Sequence, residues 1–162
     1  MNSRETILES LGYPLDRRAP EGALVDAIAV TGNLLYASGQ VPFDGPALLH
    51  VGKVPTHVSL EEATRAAGLC AANVLRAVRA HVGSLDRILR VVRVTGYVNA
   101  DSDFTDAHLV INGASKLLRD VLGDAGRHAR TALGLAQLPL GASVEVEMIL
   151  ELTPPESTPV PA

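Results

Sequence analysis

Two stretches of helical period, each set between β-prone runs, leave this chain few ways to fold. Ser59-Leu60-Glu61-Glu62 has the form of a capping box, and Leu60, Ala63, Ala67, Cys70, Ala71, Val74 and Val78 then recur on one helical face up to Gly83. Ala107, Val110, Ile111, Ala114, Leu117, Leu118 and Val121 repeat the pattern before Gly123, with Asp101-Ser102-Asp103 as the expected cap. Each of these helices has one apolar face that must be buried against something. The surrounding segments supply it. Leu24 to Thr31 and Leu34 to Val41 are apolar runs joined by Gly32-Asn33, the composition of a tight hairpin. Phe43 to Thr56 carries Gly and Pro and reads as a loop with a short strand near Val51. Ile88 to Val98 is dominated by β-branched and apolar residues and suits a strand in the middle of a sheet.

The expected order is β-β-(β)-α-β-α-β-β behind a short helix capped by Ser3 and stopped at Gly12. This predicts an α+β two-layer sandwich: a mixed sheet with two helices on one face. The 162 residues fit one domain over 1–152, with 1–20 as the N-terminal helix and linker and 153–162 as a disordered, Pro-rich tail. Along the last strand Val144, Val146, Met148, Leu150 and Leu152 alternate with Glu145, Glu147, Ile149 and Glu151. If helices cover the first set, the second faces solvent or another subunit.

Composition narrows the function. The formal net charge is -4 and the basic residues are scattered, which disfavours binding to a phosphate backbone; the absence of Trp and the scarcity of other aromatics remove a platform for stacking bases. Cys70 is the only cysteine, so neither an intramolecular disulfide framework nor a cysteine-based zinc site is expected, and in its Ala-rich setting it reads as a small core residue. His50, His57, His81 and His108 show no ligand spacing. Asp101-x-Asp103 lacks the glycine and terminal glutamate of a calcium loop, and Ser38-Gly39-Gln40 lacks the frame of a nucleophile elbow. The expectation is a protein without metal or organic cofactor. No N-terminal signal and no apolar run of about 18 residues is seen, so the cytoplasm is the expected compartment and no membrane partner is expected.

The chemistry concentrates near the C-terminus, from Gly126-Arg127-His128-Ala129-Arg130-Thr131 through Leu138-Pro139-Leu140-Gly141 to Val144-Glu145-Val146-Glu147. It reads as two strands around a turn, with Arg130 opening the first and Glu145 early in the second. A guanidinium with a carboxylate across the hairpin can hold a small carboxylate ligand and keep an acid/base group beside it. His128, two residues before Arg130, would share its face; a packing or hydrogen-bonding role is expected over catalysis.

Three segments together resemble the Rid family of reactive intermediate deaminases, also called YjgF or endoribonuclease L-PSP-like. They are Gly32 to Pro42 (GNLLYASGQVP), Val94 to Asn99 followed by Asp103-Phe104, and Ala129 to Glu147. The wording around Gly126 to Arg130 and Leu138 to Ala142, with the N-terminal helix, resembles a longer subgroup of that family. The resemblance implies a chorismate-mutase-like fold assembled as a homotrimer, with a central β-barrel made of three sheets and ligand clefts between subunits. It implies that Arg130 grips the carboxylate of a 2-imino or 2-enamino acid with help from the backbone amide of Ala132. It further implies that Glu145 positions a water for attack on the imine carbon, and that Ser38 and Asn112 line the cleft. The product would be a 2-oxo acid and ammonia. The family's usual tyrosine before the first hairpin is absent here, where Ala23-Leu24-Val25 stands, so the alternatives are a trimer that binds a small carboxylate metabolite without turnover and, behind it, a ribonuclease.

Overall fold

The computed structural model describes residues 3–17 and 24–154. The expected linker around Arg18 and Pro20 and the tail beyond Pro154 lie outside the described residues. The elements run α1 (Arg4–Ser10), β1 (Ile28–Thr31), β2 (Leu34–Gln40), β3 (Phe43–Asp44), β4 (Ala47–Leu48), α2 (Leu60–Val82), β5 (Ile88–Asn99), α3 (Ala107–Leu122), β6 (Ala129–Leu135) and β7 (Val144–Leu152). Five strands form one sheet in the order β1-β2-β7-β5-β6, and β3 and β4 pair separately. All pairings in the main sheet are antiparallel except β5 with β6, which are parallel and joined through α3.

Local chemistry explains most of these boundaries. Ser59 accepts from the Glu62 N–H while the Glu62 carboxylate accepts from the Ser59 N–H, a reciprocal cap that starts α2, and Gly83 at φ 87 ends it. One face of α2 is nearly all alanine (Ala63, Ala66, Ala67, Ala71), so the helix backbone lies close to α3 and the sheet. Between the layers Leu35, Ile88, Ile111, Leu118, Met148 and Leu150 are fully buried. Each such side chain contributes about 1.5–3 kcal/mol relative to exposure. Gly96 on β5 lets α3 come this near: a Cβ there would lie 2.4 Å from the Ile111 Cδ1. Buried polar groups on α2 tie down the loops. Asn73 Nδ2 donates to the Val41 and Phe43 carbonyls at 3.1 and 2.9 Å, and Arg76 Nε donates to the Pro14 carbonyl at 2.9 Å.

The layered α+β design, the two helices on one face and the N-terminal helix follow the expectation. Several details do not. The sheet is open, with β1 and β6 as its edges, so no closed β-barrel exists among the described residues. The expected C-terminal hairpin is also absent: β6 and β7 never pair, because β5 lies between them and bonds to both. The reason is topological. A strand that returns through a helix joins β5 in parallel on its outer side, and the fully alternating β7 has apolar residues enough to fill the central slot on the other. Asp101 does not cap α3. Its carboxylate instead accepts from the Thr56 N–H and hydroxyl at 3.2 and 2.6 Å, which holds it below the usual aspartate range, while α3 starts after Asp106 without a side-chain cap. Val51 makes only an isolated bridge to Ala142; the strand pair lies earlier, at β3 and β4. β1 begins at Ile28, and Leu24 and Val25 stand exposed before it.

Candidate functional site

Strand alternation sorts the sequence-predicted residues onto two faces. Arg130 pairs with Val94, and Val94 pairs with Met148, both buried beneath the helices; Arg130 and Ala132 therefore project toward the helical layer. β7 buries Val144, Val146 and Met148 on that same side, so Glu145 and Glu147 project from the opposite, uncovered face. Asn112, on α3, stands with Arg130. Ser38 and Glu145 are on the uncovered side. A single chain thus carries two half-sites and does not bring all five residues together.

The arginine half-site is built by α3 lying over the edge strand β6. Arg130 Nη1 donates to Asn112 Oδ1 at 2.9 Å and to Ser115 Oγ at 3.1 Å, and Nη2 donates to the His108 carbonyl at 3.2 Å. His108, Asn112 and Ser115 follow the three- to four-residue helical spacing, which puts them on one face. The guanidinium has five N–H donors; these contacts leave one on Nε and one on Nη2, adjacent atoms suited to a two-pronged grip on a carboxylate. Among the described residues no carboxylate fills that grip, and every partner of Arg130 is neutral. Behind it, His128 contacts Ser115 Oγ through Nε2 at 3.0 Å and the Gly126 carbonyl through Nδ1 at 2.7 Å. Burial, then Arg130 and Arg119, push the His128 imidazole below its ordinary 6.5 against the opposing effect of the Gly126 hydrogen bond.

The carboxylate half-site is different in kind. Glu145 is half-buried and no hydrogen bond to it forms among the described residues; burial first, and then the neighbouring Glu147 charge, raise its carboxyl above the ordinary 4.5. It lies against Gly39, where a Cβ would fall 2.0 Å from Oε1, so a glycine is required for this side chain to rest where it does. The register of β2 on β7 shifts between Ala37 and Gln40, a bulge that contains Ser38 and Gly39. Ser38 donates its hydroxyl to the Asp26 carbonyl at 2.7 Å. Beside it an open hollow of about 520 Å³ is lined by Tyr36, Arg93, Thr95, Tyr97, Thr131 and Glu147. Tyr97 donates to Glu147 Oε1 at 3.1 Å and Arg93 to Thr131 Oγ1 at 3.1 Å.

Sequence reasoning missed Ser115, the His108 carbonyl and Gly39. The helical spacing from Asn112 to Ser115 was the available signal for the first. Among the described residues no three His, Cys, Asp or Glu side chains gather where they could share a metal ion, and no helix is long and apolar enough to cross a membrane.

Residues 8–152 match the family model described as "YjgF/chorismate_mutase-like, putative endoribonuclease". The chain belongs to that family. Protein TCP17 of Trypanosoma cruzi is 38% identical over 146 residues, 90% of this chain and 91% of that one. A protein of unknown function from Agrobacterium tumefaciens is 43% identical with a TM-score of 0.86, covering 93% of this chain and 92% of its own. RidA from a Psychrobacter species is 25% identical with a TM-score of 0.58, covering 85% of this chain and 95% of its own. Membership of the YjgF family brings with it a family-level enzymatic or ligand-binding role.

Proposed function

We propose that the protein hydrolyses reactive 2-enamino or 2-imino acids to 2-oxo acids and ammonia, at clefts completed between subunits of a cytoplasmic homotrimer. The observation that carries the reading is Arg130: its guanidinium is pinned by three bonds to α3 yet, among the described residues, keeps two N–H donors free and meets no carboxylate. A planar anion such as the substrate carboxylate supplies the missing partner. Asn112 then serves the site by orienting the guanidinium, Ala132 lies two residues along the same strand face, and Glu145 holds the attacking water. A carboxyl whose affinity for protons is raised by burial is suited to accept one from that water. Protonated imines are electrophilic enough for a placed water and an arginine to be adequate machinery.

The need for a second copy follows from the two faces. Arg130 and Glu145 lie on opposite sides of one sheet, so a neighbour's Glu145 and Ser38 would have to complete the cleft at Arg130. Tyr36 and Leu133, 43% and 46% exposed on the uncovered face, favour its being an interface. The higher TM-score to the Agrobacterium protein than to RidA fits a subgroup set apart from the shorter deaminases.

A coupled assay decides the reaction. 2-Aminoacrylate is generated from serine by a pyridoxal-phosphate lyase, and pyruvate release is followed. Faster release with the wild type and not with Arg130→Ala supports hydrolysis. Unaltered release together with 2-oxobutyrate binding supports a second reading, a carboxylate-binding trimer without turnover. That reading is favoured by Leu24 and Val25, which stand exposed where the deaminases place a tyrosine. The homotrimer is checked by sedimentation; a monomer at micromolar concentration refutes it.

A further inference from the structure

The contacts behind Arg130 form a chain with a direction. Gly126 offers a carbonyl, which can only accept, so the hydrogen at 2.7 Å belongs to His128 Nδ1. A neutral imidazole protonated there has a bare Nε2, which accepts the Ser115 hydroxyl hydrogen at 3.0 Å. Having given its hydrogen away, Ser115 Oγ turns lone pairs toward Arg130 Nη1 at 3.1 Å. Arginine donates to serine, serine to histidine, and histidine to the backbone. Every group is used in the sense its chemistry allows.

A proton on Nε2 breaks the sequence. The imidazolium then donates into the same serine oxygen that Arg130 uses, the Ser115 hydrogen must find another acceptor, and two cations flank a single hydroxyl. The groups around His128 oppose this charge on balance: burial, Arg130 from β6 and Arg119 from α3 all disfavour protonation, the Gly126 carbonyl alone favours it, and among the described residues no carboxylate is in contact with the ring.

We propose that His128, acting through Ser115, is a positioning residue that holds Arg130 in its ligand-gripping setting and releases it when the imidazole takes up a proton. This rests on the reading of Arg130 as the grip for the ligand carboxylate. Asn112 and the His108 carbonyl keep the guanidinium near α3 in either state; Ser115 and His128 decide how firmly Nη1 is held, and so how well the free Nε and Nη2 donors are aimed.

The test uses the full-length protein and two readouts. In the first, without ligand, nitrogen-detected spectra follow the His128 ring and the Arg130 guanidinium from pH 8 to pH 5. The expected result is an Nδ1–H tautomer at high pH and slowed Arg130 Nη rotation, which quickens as His128 titrates below 6.5. In the second, 2-oxobutyrate binding is measured by calorimetry over the same range. Affinity should be level above pH 7 and fall roughly three- to tenfold as His128 protonates, the worth of about one hydrogen bond. His128→Gln, whose amide oxygen can still accept from Ser115 but which does not titrate, should bind nearly as the wild type at pH 7.5 with a flat profile. His128→Phe and Ser115→Ala should bind several-fold more weakly at every pH. An Arg130 signal indifferent to pH, a wild-type profile retained in His128→Gln, or affinity that rises on acidification overturns the relay. If the spectra behave as expected but Arg130→Ala binds 2-oxobutyrate as well as the wild type, the relay stands and the reading of Arg130 as the carboxylate grip fails.

Discussion

The covered and uncovered faces of the sheet treat their charged residues in opposite ways. On the covered side, Arg130 arrives already oriented: α3 supplies three neutral acceptors, none of which offsets the positive charge of the guanidinium. On the uncovered side, Glu145 has no hydrogen-bond partner among the described residues, carries a raised proton affinity and lies against a glycine that makes room for it. One half-site is preorganised by its own fold. The other has no such support among the described residues. On the proposed function, this difference teaches where the free energy of binding should come from: a fixed guanidinium loses little freedom when a carboxylate arrives, whereas Glu145 is ordered only by the water, ligand or subunit that reaches it.

The sharpest way to test this contrast is Glu145→Gln. If Glu145 is the acid/base of an active enzyme, the substitution should slow pyruvate release by about 10²–10⁴. The calorimetric affinity for 2-oxobutyrate should hold. An equal loss of affinity would move Glu145 into the grip and erase the distinction. Next in size is Arg130→Ala, expected to weaken 2-oxobutyrate binding about a hundredfold through loss of a charge-assisted pair, with the melting temperature changed by no more than a few degrees. Retained affinity would mean that the free donors on Nε and Nη2 serve nothing.

Removing one orienting bond should do less. Asn112→Ala takes away the 2.9 Å acceptor but leaves the charge, so affinity should fall by roughly three- to tenfold. Gly39→Ala approaches the other half-site. The new Cβ displaces the end of a flexible Glu145 side chain, so turnover should drop while 2-oxobutyrate affinity and fold persist, measured by the coupled assay and circular dichroism.

The smallest effects are on stability against pH. The Glu145 carboxyl is raised in the folded chain, so its ionised form is disfavoured there, and its contribution declines as pH climbs from the ordinary 4.5 through the raised value. His128 is lowered, so the unfolded chain binds its proton first and stability declines as pH falls below 6.5 toward the folded value. Thermal melts of Glu145→Gln and His128→Gln against the wild type should show the first variant gaining relative stability at neutral pH and the second gaining it in mild acid.

How much of this was legible in advance varies by residue. The capping box at Ser59 and Glu62, the glycine stops at 83 and 123 and the apolar alternation of β7 are local signals, and the structure bears them out. Asp101 illustrates the limit: aspartates ahead of a helical pattern suggest a cap, but Thr56, distant in sequence, offered a hydroxyl and an N–H that the helix did not. The supposed C-terminal hairpin failed for a similar reason. Two strands separated by a short turn are neighbours by default, and only α3 and the long central β5 show that a third strand comes between them.

Sequence alone determined the helices and the long strands, the apolar faces that form the core and the residue types available for chemistry, because periodicity, caps and side-chain character are properties of neighbours along the chain. Tertiary structure decided which face of the sheet each charge occupies. Arg130 lies in a β6 segment with small or apolar residues on both sides, so its own strand does not reveal where it points; the parallel pairing to β5 and the passage of α3 above it do. A strand has two faces, and the choice between them is made by what packs against it.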